Sequence, residues 1–279
     1  GLRGAPRDAL VADVTAPEMR GRAFGLRQAL DTVGAFIGPL MAIGLMAVFA
    51  DNMRLVFWIA AIPALIAVLF VLIGVEDRAA PATKAARAPL HTRDLGRLPR
   101  DFWQVIAVAV TFMLARFSEA FLILKASAVG LPVTLAPLVL VAMSAVYALG
   151  SYPAGAWADR APPRRPLIAG LACLIAADLV LAWAGTVIGA FVGIALWGAH
   201  MALSQGLLSK LVAEHAPAGL RGSAFGIFNL TTGLATLAAS VLAGVLWDWR
   251  GAGATFLTGA VFAALAAILA WRFGAPKTN

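Results

Sequence analysis

The stretch LVADVTAPEMRGRAFG at residues 10–25 returns 201 positions later as LVAEHAPAGLRGSAFG at 211–226, without a gap. Eight of the sixteen positions are identical: Leu10, Val11, Ala12, Arg20, Gly21, Ala23, Phe24 and Gly25 recur as Leu211, Val212, Ala213, Arg221, Gly222, Ala224, Phe225 and Gly226. Apolar helices resemble one another through composition alone, but composition does not reproduce a polar RGxAFG in register. One helix-loop-helix corner is therefore built twice. A period near 200 residues is too long for a solenoid unit and fits two duplicated bundles of about six helices each.

The solvent for such bundles follows from composition. The chain of 279 residues is 61% hydrophobic and 13% charged, with a mean hydropathy of +0.87, against roughly half apolar and a quarter charged in soluble domains. Weakly charged apolar runs occupy 23–49, 55–75, 102–124, 134–157, 167–184, 187–211, 223–246 and 253–271. Each can cross a bilayer as a helix, which takes about 20 residues. The run IAAIPALIAVLFVLIGV (59–75) does not alternate in polarity, as a transmembrane barrel strand does. The expected fold is thus an all-α membrane bundle with eight complete spans, preceded by the tail of another at 1–13.

The net charge of +8 and isoelectric point near 10.7 could indicate nucleic acid in a soluble domain. Their distribution argues otherwise. Eighteen of the 22 basic residues fall on one set of loops and helix ends; only Arg54, Lys125 and Arg250 fall on the opposite set, and Arg116 lies inside a span. Lys and Arg mark the cytoplasmic side, so the charge is a topology signal. The partners expected are a lipid bilayer and a small molecule, with no nucleic acid. The single Cys173 cannot form an internal disulfide.

Aligning the two copies places Gly1 opposite Ala202, with the second half starting near Asp101, so the first half is short by about 100 residues, room for three helices and most of a fourth. The expected whole is a twelve-span protein of roughly 380 residues, of which spans 5 to 12 are complete here. The expected organisation is residues 1–75 as the end of the first bundle and 76–101, rich in Ala, Pro and Arg, as a cytoplasmic linker. The second bundle follows at 102–272, and 273–279 form a cytoplasmic tail.

Charge inside the spans is rare. Span 5 carries Arg27, Gln28, Asp31, Gly34 and Gly38 at helical spacings of three and four, and the equivalent face of span 11 carries Asn229, Thr232, Gly233, Thr236, Ser240 and Gly244. Small residues let membrane helices approach closely, so Ser240 and the glycines read as packing. A carboxylate at a span centre costs at least ~2.5 kcal/mol unless paired or facing water, and Arg27 can pair with Asp31 at i,i+4. That pair has either a functional role or a structural, gating one. Span 7 repeats the device in ARFSEAF with Arg116 and Glu119, and span 10 adds His200, Ser204 and Gln205. His200 titrates in the physiological range, yet a lone membrane histidine also serves as a packing residue. No HExxH, GxSxG or GxxxxGK[ST] occurs, so neither hydrolytic catalysis nor ATP-driven transport has residues to run it. No metal or cofactor is expected.

The loop GAWADRAPPRR (155–165) makes a resemblance specific. It is similar to the signature of the major facilitator superfamily, G-x-x-x-D-R-x-G-R-R/K, with Gly155, Asp159, Arg160, Arg164 and Arg165 matching once one residue is inserted after Arg160, and Pro163 in place of the second Gly. The corner PRDALVAD, with Arg7 and Asp8, together with RGRAFG and its Arg20, resembles a bacterial branch of exporters. A helix N-terminus presents unpaired N–H groups and partial positive charge, so a carboxylate such as Asp159 can pin a neighbouring helix end. The resemblance implies that this end is the start of span 5, Arg20 to Gly25, closing the cytoplasmic side when the transporter faces outward. It also implies that spans 7 and 10 line the central cavity while span 9, with Asp178, is peripheral; Trp183 nearby places that acid close to the outer interface. A carboxylate desolvated in such a cavity can load and release a proton, which makes Asp31 and Glu119 the coupling candidates. The function expected is proton-coupled efflux of a small molecule by a monomer in the bacterial plasma membrane. The alternative is a nontransporting sensor or assembly scaffold that kept the fold.

Overall fold

The computed structural model describes residues 4–49, 53–74, 98–132, 135–162 and 164–273. Among them all regular structure is helical. Helix α1 (Gly4–Val14) leads through a 3-10 turn at Pro17–Met19 into α2 (Arg20–Val48), and α3 (Met53–Gly74) follows. After the linker, whose residues 76–97 lie outside the described set, come α4 (Arg100–Ala115), α5 (Ala120–Ala128), α6 (Pro137–Arg160), α7 (Arg164–Trp183) and α8 (Val187–His215). A second 3-10 turn at Ala218–Leu220 leads into α9 (Arg221–Phe273). The tail at 274–279 also lies outside the described residues.

The duplication seen in sequence is present in the backbone. Ala16 before the first 3-10 turn has φ −57° and ψ 141°, and its counterpart Pro217 has φ −55° and ψ 141°. The following helices start at Arg20 and Arg221, again 201 residues apart. Ala16 precedes Pro17, which disfavours helical φ/ψ before it, and Pro217 has its own φ fixed; both routes end the incoming helix at the same place.

Among the described residues, five helical segments are long and apolar enough to cross a membrane, by length and composition: 100–128, 137–160, 164–183, 187–215 and 221–271. The last is two spans. Gly251 sits at φ +79° and ψ −179° inside α9, a backbone that only glycine adopts without strain, and divides it into rods at 221–250 and 252–273.

The first of the five corrects an expectation. Span 7, read as one helix over 102–124, is interrupted at 116–119, where Arg116 is extended at φ −110° and ψ 92°. No glycine or proline causes the break. Two tertiary contacts hold it: the freed Ser118 N–H donates to Ser240 Oγ of α9 at 3.1 Å, and the Phe117 ring enters the core. There it packs against Phe121, Trp197 and Phe256 at centroid distances of 5.3–5.4 Å.

The described residues of 4–32 and 98–273 form one compact unit, and those of 33–74 another. In the first, α8 packs between α6 and α7, and α9 packs against α4 and α7. Close approach rests on small residues: a Cβ at Gly193 would meet the Leu181 side chain at 2.5 Å, and one at Gly198 the Met143 carbonyl at 2.5 Å. Ala235, Ala239 and Ala243 form a buried row along α9, while Leu237, Val241 and Val245 of the same helix are exposed, as lipid-facing side chains of a span are. The second unit holds the rest of α2 and α3; Phe57, Trp58, Phe70 and Ile73 of α3 all lie outward.

Candidate functional site

The site is built where three helices cross on small residues. Gly21 and Gly25 on α2 meet Ser151 and Gly155 on α6 so closely that a Cβ at Gly155 would overlap the Gly21 carbonyl, and one at Gly25 the Ser151 carbonyl. Gly206 of α8 closes the third side: its Cβ would stand 3.2 Å from Gly25 N. Both α2 and α6 thus use small residues four apart, the spacing that lets membrane helices touch backbone to backbone.

That approach brings Asp159, at the end of α6, onto the start of α2. Gly21 N–H donates to Asp159 Oδ1 at 2.7 Å, and Arg22 N–H to Oδ2 at 2.9 Å. Amides in a first helical turn have no intrahelical acceptor, and the positive end of the helix dipole adds to the attraction. Arg22 Nε also donates to Oδ2 at 3.2 Å. From α8, Lys210 Nζ reaches Asp159 Oδ1 at 3.1 Å and the Ala158 carbonyl at 2.7 Å. The carboxylate is 1% exposed and the lysine side chain 6%, so the pair is dry and removal of either partner is costly. Lys210, read in sequence only as one more basic residue, is the second charge of this contact; its signal was a lone cation inside the apolar run LLSKLVA.

The two copies of the corner meet each other beside this cap. Phe24 and Phe225, equivalent residues, are both wholly buried with ring centroids 6.1 Å apart. Arg221 pairs with Asp13, and the equivalent Arg20 lies within the field of the equivalent Glu214. Reciprocal contacts of this kind are what a twofold relation between the copies produces. Arg20 is buried and donates through Nε to the Ala12 carbonyl at 3.2 Å.

Further along α2 the charges form a chain of alternating sign. Arg7 contacts Asp8 at 3.3 Å and Asp31 at 3.1 Å. Arg27 contacts Asp31 at 2.9 Å and Asp8 at 3.5 Å. A second cluster forms at the break in span 7. Arg116 Nη2 donates to Glu119 Oε1 at 3.0 Å, and Gln205 of α8, with its amide oxygen turned to the guanidinium, accepts from Arg116. Tyr147 of α6 is within electrostatic reach of both clusters, of Arg27 and Asp31 and of Arg116 and Glu119, and its buried hydroxyl has no hydrogen bond. Nothing in the sequence around Tyr147 gives it a role.

The remaining candidates scatter. His200 is wholly buried, packed against Trp197 at 5.2 Å and Phe112 at 6.0 Å, with neither ring nitrogen bonded. Ser204 is equally buried and donates back to the His200 carbonyl at 2.7 Å. Asn229 is exposed on α9, facing Gly4 of α1. Arg160 and Arg165 are exposed, and Arg164 stacks on Trp271. Asp178, expected on a peripheral helix, is wholly buried with both oxygens unbonded. It faces Gly259 of α9, where a Cβ would stand 2.7 Å from Oδ2 and 3.1 Å from the Phe117 ring. Peripheral position in the bundle therefore does not mean exposure, because α7 turns this face toward the second rod of α9. Among the described residues no group of three or more His, Cys, Asp or Glu could hold a metal ion.

Comparison with known proteins agrees with this architecture. The profile of the Major Facilitator Superfamily matches residues 4–233 and, separately, 120–279. An uncharacterized transporter of that type from Methanocaldococcus jannaschii is 27% identical over 279 residues, which cover 96% of this chain and 68% of that protein. An uncharacterized protein of Mycobacterium tuberculosis is 27% identical over 253 residues, 88% of this chain and 61% of its own length. The chain thus spans about two thirds of the curated relatives it matches. Among solved structures, a transporter of the superfamily captured in the outward conformation, FucP, superimposes with a TM-score of 0.74 at 17% identity, covering 98% of this chain and 72% of that one. The human organic anion transporter TETRAN gives 0.70 at 20% identity, covering 95% and 67%. These likenesses show the fold, and the profile match across the chain shows the family. The twice-built corner and its Asp159 cap are features of a multi-pass membrane protein that belongs to the Major Facilitator Superfamily.

Proposed function

We propose that this chain is the larger part of a secondary transporter that moves a small molecule by alternating access, with the Asp159 cap as its cytoplasmic latch. Membership of a transporter family makes it a membrane transport protein and not an enzyme. The observation that carries the latch is the bond from the α6 carboxylate to the Gly21 and Arg22 amides at 2.7 and 2.9 Å. It joins a helix of the first copy to one of the second. Breaking it frees the two corners to part, and the outward conformation of a solved neighbour supports reading the closed side as cytoplasmic.

Protons are the proposed coupling ion and efflux the proposed direction, in the plasma membrane of a bacterium, with linker and C-terminus cytoplasmic and the protein acting as a monomer that binds no nucleic acid. Solved neighbours described as a fucose:proton symporter and a proton:xylose symporter support protons. The resemblance to exporters in the corner sequence supports direction. Asp31 and Glu119 are the proposed proton carriers, each held by an arginine that protonation of the acid would release. Tyr147, within electrostatic reach of both, is proposed to pass the change in charge from one cluster to the other.

The test uses inverted vesicles from cells making the intact protein, with a respiratory proton gradient followed by fluorescence quenching. At least one compound in a panel of organic anions, cations and sugars should dissipate the gradient, and Asp31→Asn and Glu119→Gln should abolish that response while inserting normally. If no compound acts beyond empty-membrane controls, the chain belongs to a nontransporting scaffold. If both variants respond as wild type, the acids carry no proton.

A further inference from the structure

A cavity of about 590 Å³ lies at the end of the bundle where the basic residues concentrate, between α6, α7 and the second rod of α9. It is separate from the latch and from both charged clusters. Its origin is local. Helix α7 opens RRPLIAGLA, so Arg164, Arg165, Ile168 and Ala172 fall on adjoining faces of one helix, two guanidinium groups above an apolar stripe. Trp157 from α6 and Trp271 from α9 form the flanks.

Three features define what fits. The arginines are without acids: among the described residues no carboxylate pairs with Arg164 or Arg165, whereas Arg7, Arg22, Arg27, Arg116 and Arg221 each contact one. Arg164 lies over the Trp271 ring, its central carbon 3.1 Å from the centroid, a contact that holds the guanidinium in place and leaves N–H donors for a planar or tetrahedral anion. Below the charges the wall is apolar, formed by Ile168, Ala169 and Ala172. A pair of tryptophans at this level is the arrangement that sits among lipid headgroups.

We propose that this cavity binds one anionic phospholipid. Arg164 and Arg165 hold the phosphate, Trp157 and Trp271 flank the glycerol, and the first methylenes of an acyl chain lie along Ile168 and Ala172. A soluble phosphate satisfies the arginines and leaves the apolar floor uncovered; a phospholipid satisfies both. Basic pockets between membrane helices bind anionic headgroups on this physical basis. The volume is within the range of small-molecule sites. Because its walls come from three helices, an occupied cavity ties α6, α7 and the second rod of α9 together.

The experiment is native mass spectrometry of the intact protein in detergent with equimolar phosphatidylglycerol and phosphatidylcholine, joined to thermal unfolding with each lipid or with inorganic phosphate. One phosphatidylglycerol should be retained with a preference of about thirtyfold, the ratio two basic side chains at a membrane surface are worth. It should raise the Tm where phosphatidylcholine and phosphate do not. The double variant Arg164→Gln, Arg165→Gln should lose the preference. Ala172→Trp, which keeps both arginines and fills the floor, should lose it too. Equal retention of the two lipids by wild type overturns the proposal without any variant; undiminished preference in both variants places the lipid elsewhere; a Tm rise with phosphate alone makes this a soluble-anion site.

Discussion

Replacing Asp159 by alanine tests the physical basis of the latch most finely. The carboxylate accepts from Gly21 N at 2.7 Å, Arg22 N at 2.9 Å and Arg22 Nε at 3.2 Å, and pairs with Lys210 at 3.1 Å. A hydrogen bond to a charged group contributes about 1.5–3 kcal/mol. The two amides alone give about 3–6 kcal/mol, of which water entering the vacated site returns part. Lys210 keeps the Ala158 carbonyl at 2.7 Å, so its charge is not left without a partner. A working value of ~3 kcal/mol corresponds to more than a hundredfold in the opening equilibrium. Hydrogen exchange of the intact protein in nanodiscs, read on peptides spanning residues 17–26, should show Gly21 and Arg22 exchanging about a hundredfold faster, because first-turn amides have no other acceptor. Amides in the middle of α7 serve as the control. Unchanged protection at Gly21 and Arg22 in Asp159→Ala would refute the reasoning.

Other perturbations address single contacts. Gly155→Val should prevent closure altogether, since even a Cβ overlaps the Gly21 carbonyl; a cysteine cross-link across the corner that still forms at the wild-type rate would contradict this. Ser240→Ala leaves the Ser118 N–H without its acceptor and should cost about 1–3 kcal/mol, read as a lower Tm; an unaltered Tm would mean that water replaces the hydroxyl. Asp178→Val removes a buried carboxyl with no hydrogen bond and should leave the Tm equal or raised, as when buried charges give way to apolar groups. A large fall would show that the acid has a partner in the membrane.

Much of this was readable before any coordinates because the determining signals are local or periodic. The apolar runs fixed the membrane spans, and the RGxAFG repeat fixed the paired corners, down to the matching dihedrals at Ala16 and Pro217. What escaped depends on distant partners. The break at 116–119 has no Gly or Pro to announce it; it persists because Ser240 of α9 accepts the freed N–H. Asp178 looked peripheral by helix order, but Gly259, 81 residues on, lets it bury completely. Tyr147 lies within electrostatic reach of charges on α2 and at the span 7 break, which no spacing in α6 encodes. The Arg27–Asp31 pair, by contrast, is one helical turn apart and formed as its spacing implies.

The central proposal, that two copies of one corner close and part to give alternating access, is tested most directly by a distance. Spin labels at Glu18 and Gly219, exposed and equivalent positions in the two 3-10 turns, report the separation of the corners in the intact protein in a bilayer by pulsed electron resonance. Two distance populations, with the shorter one depleted by Asp159→Ala, are the expected result. A single population unmoved by that substitution would contradict the account.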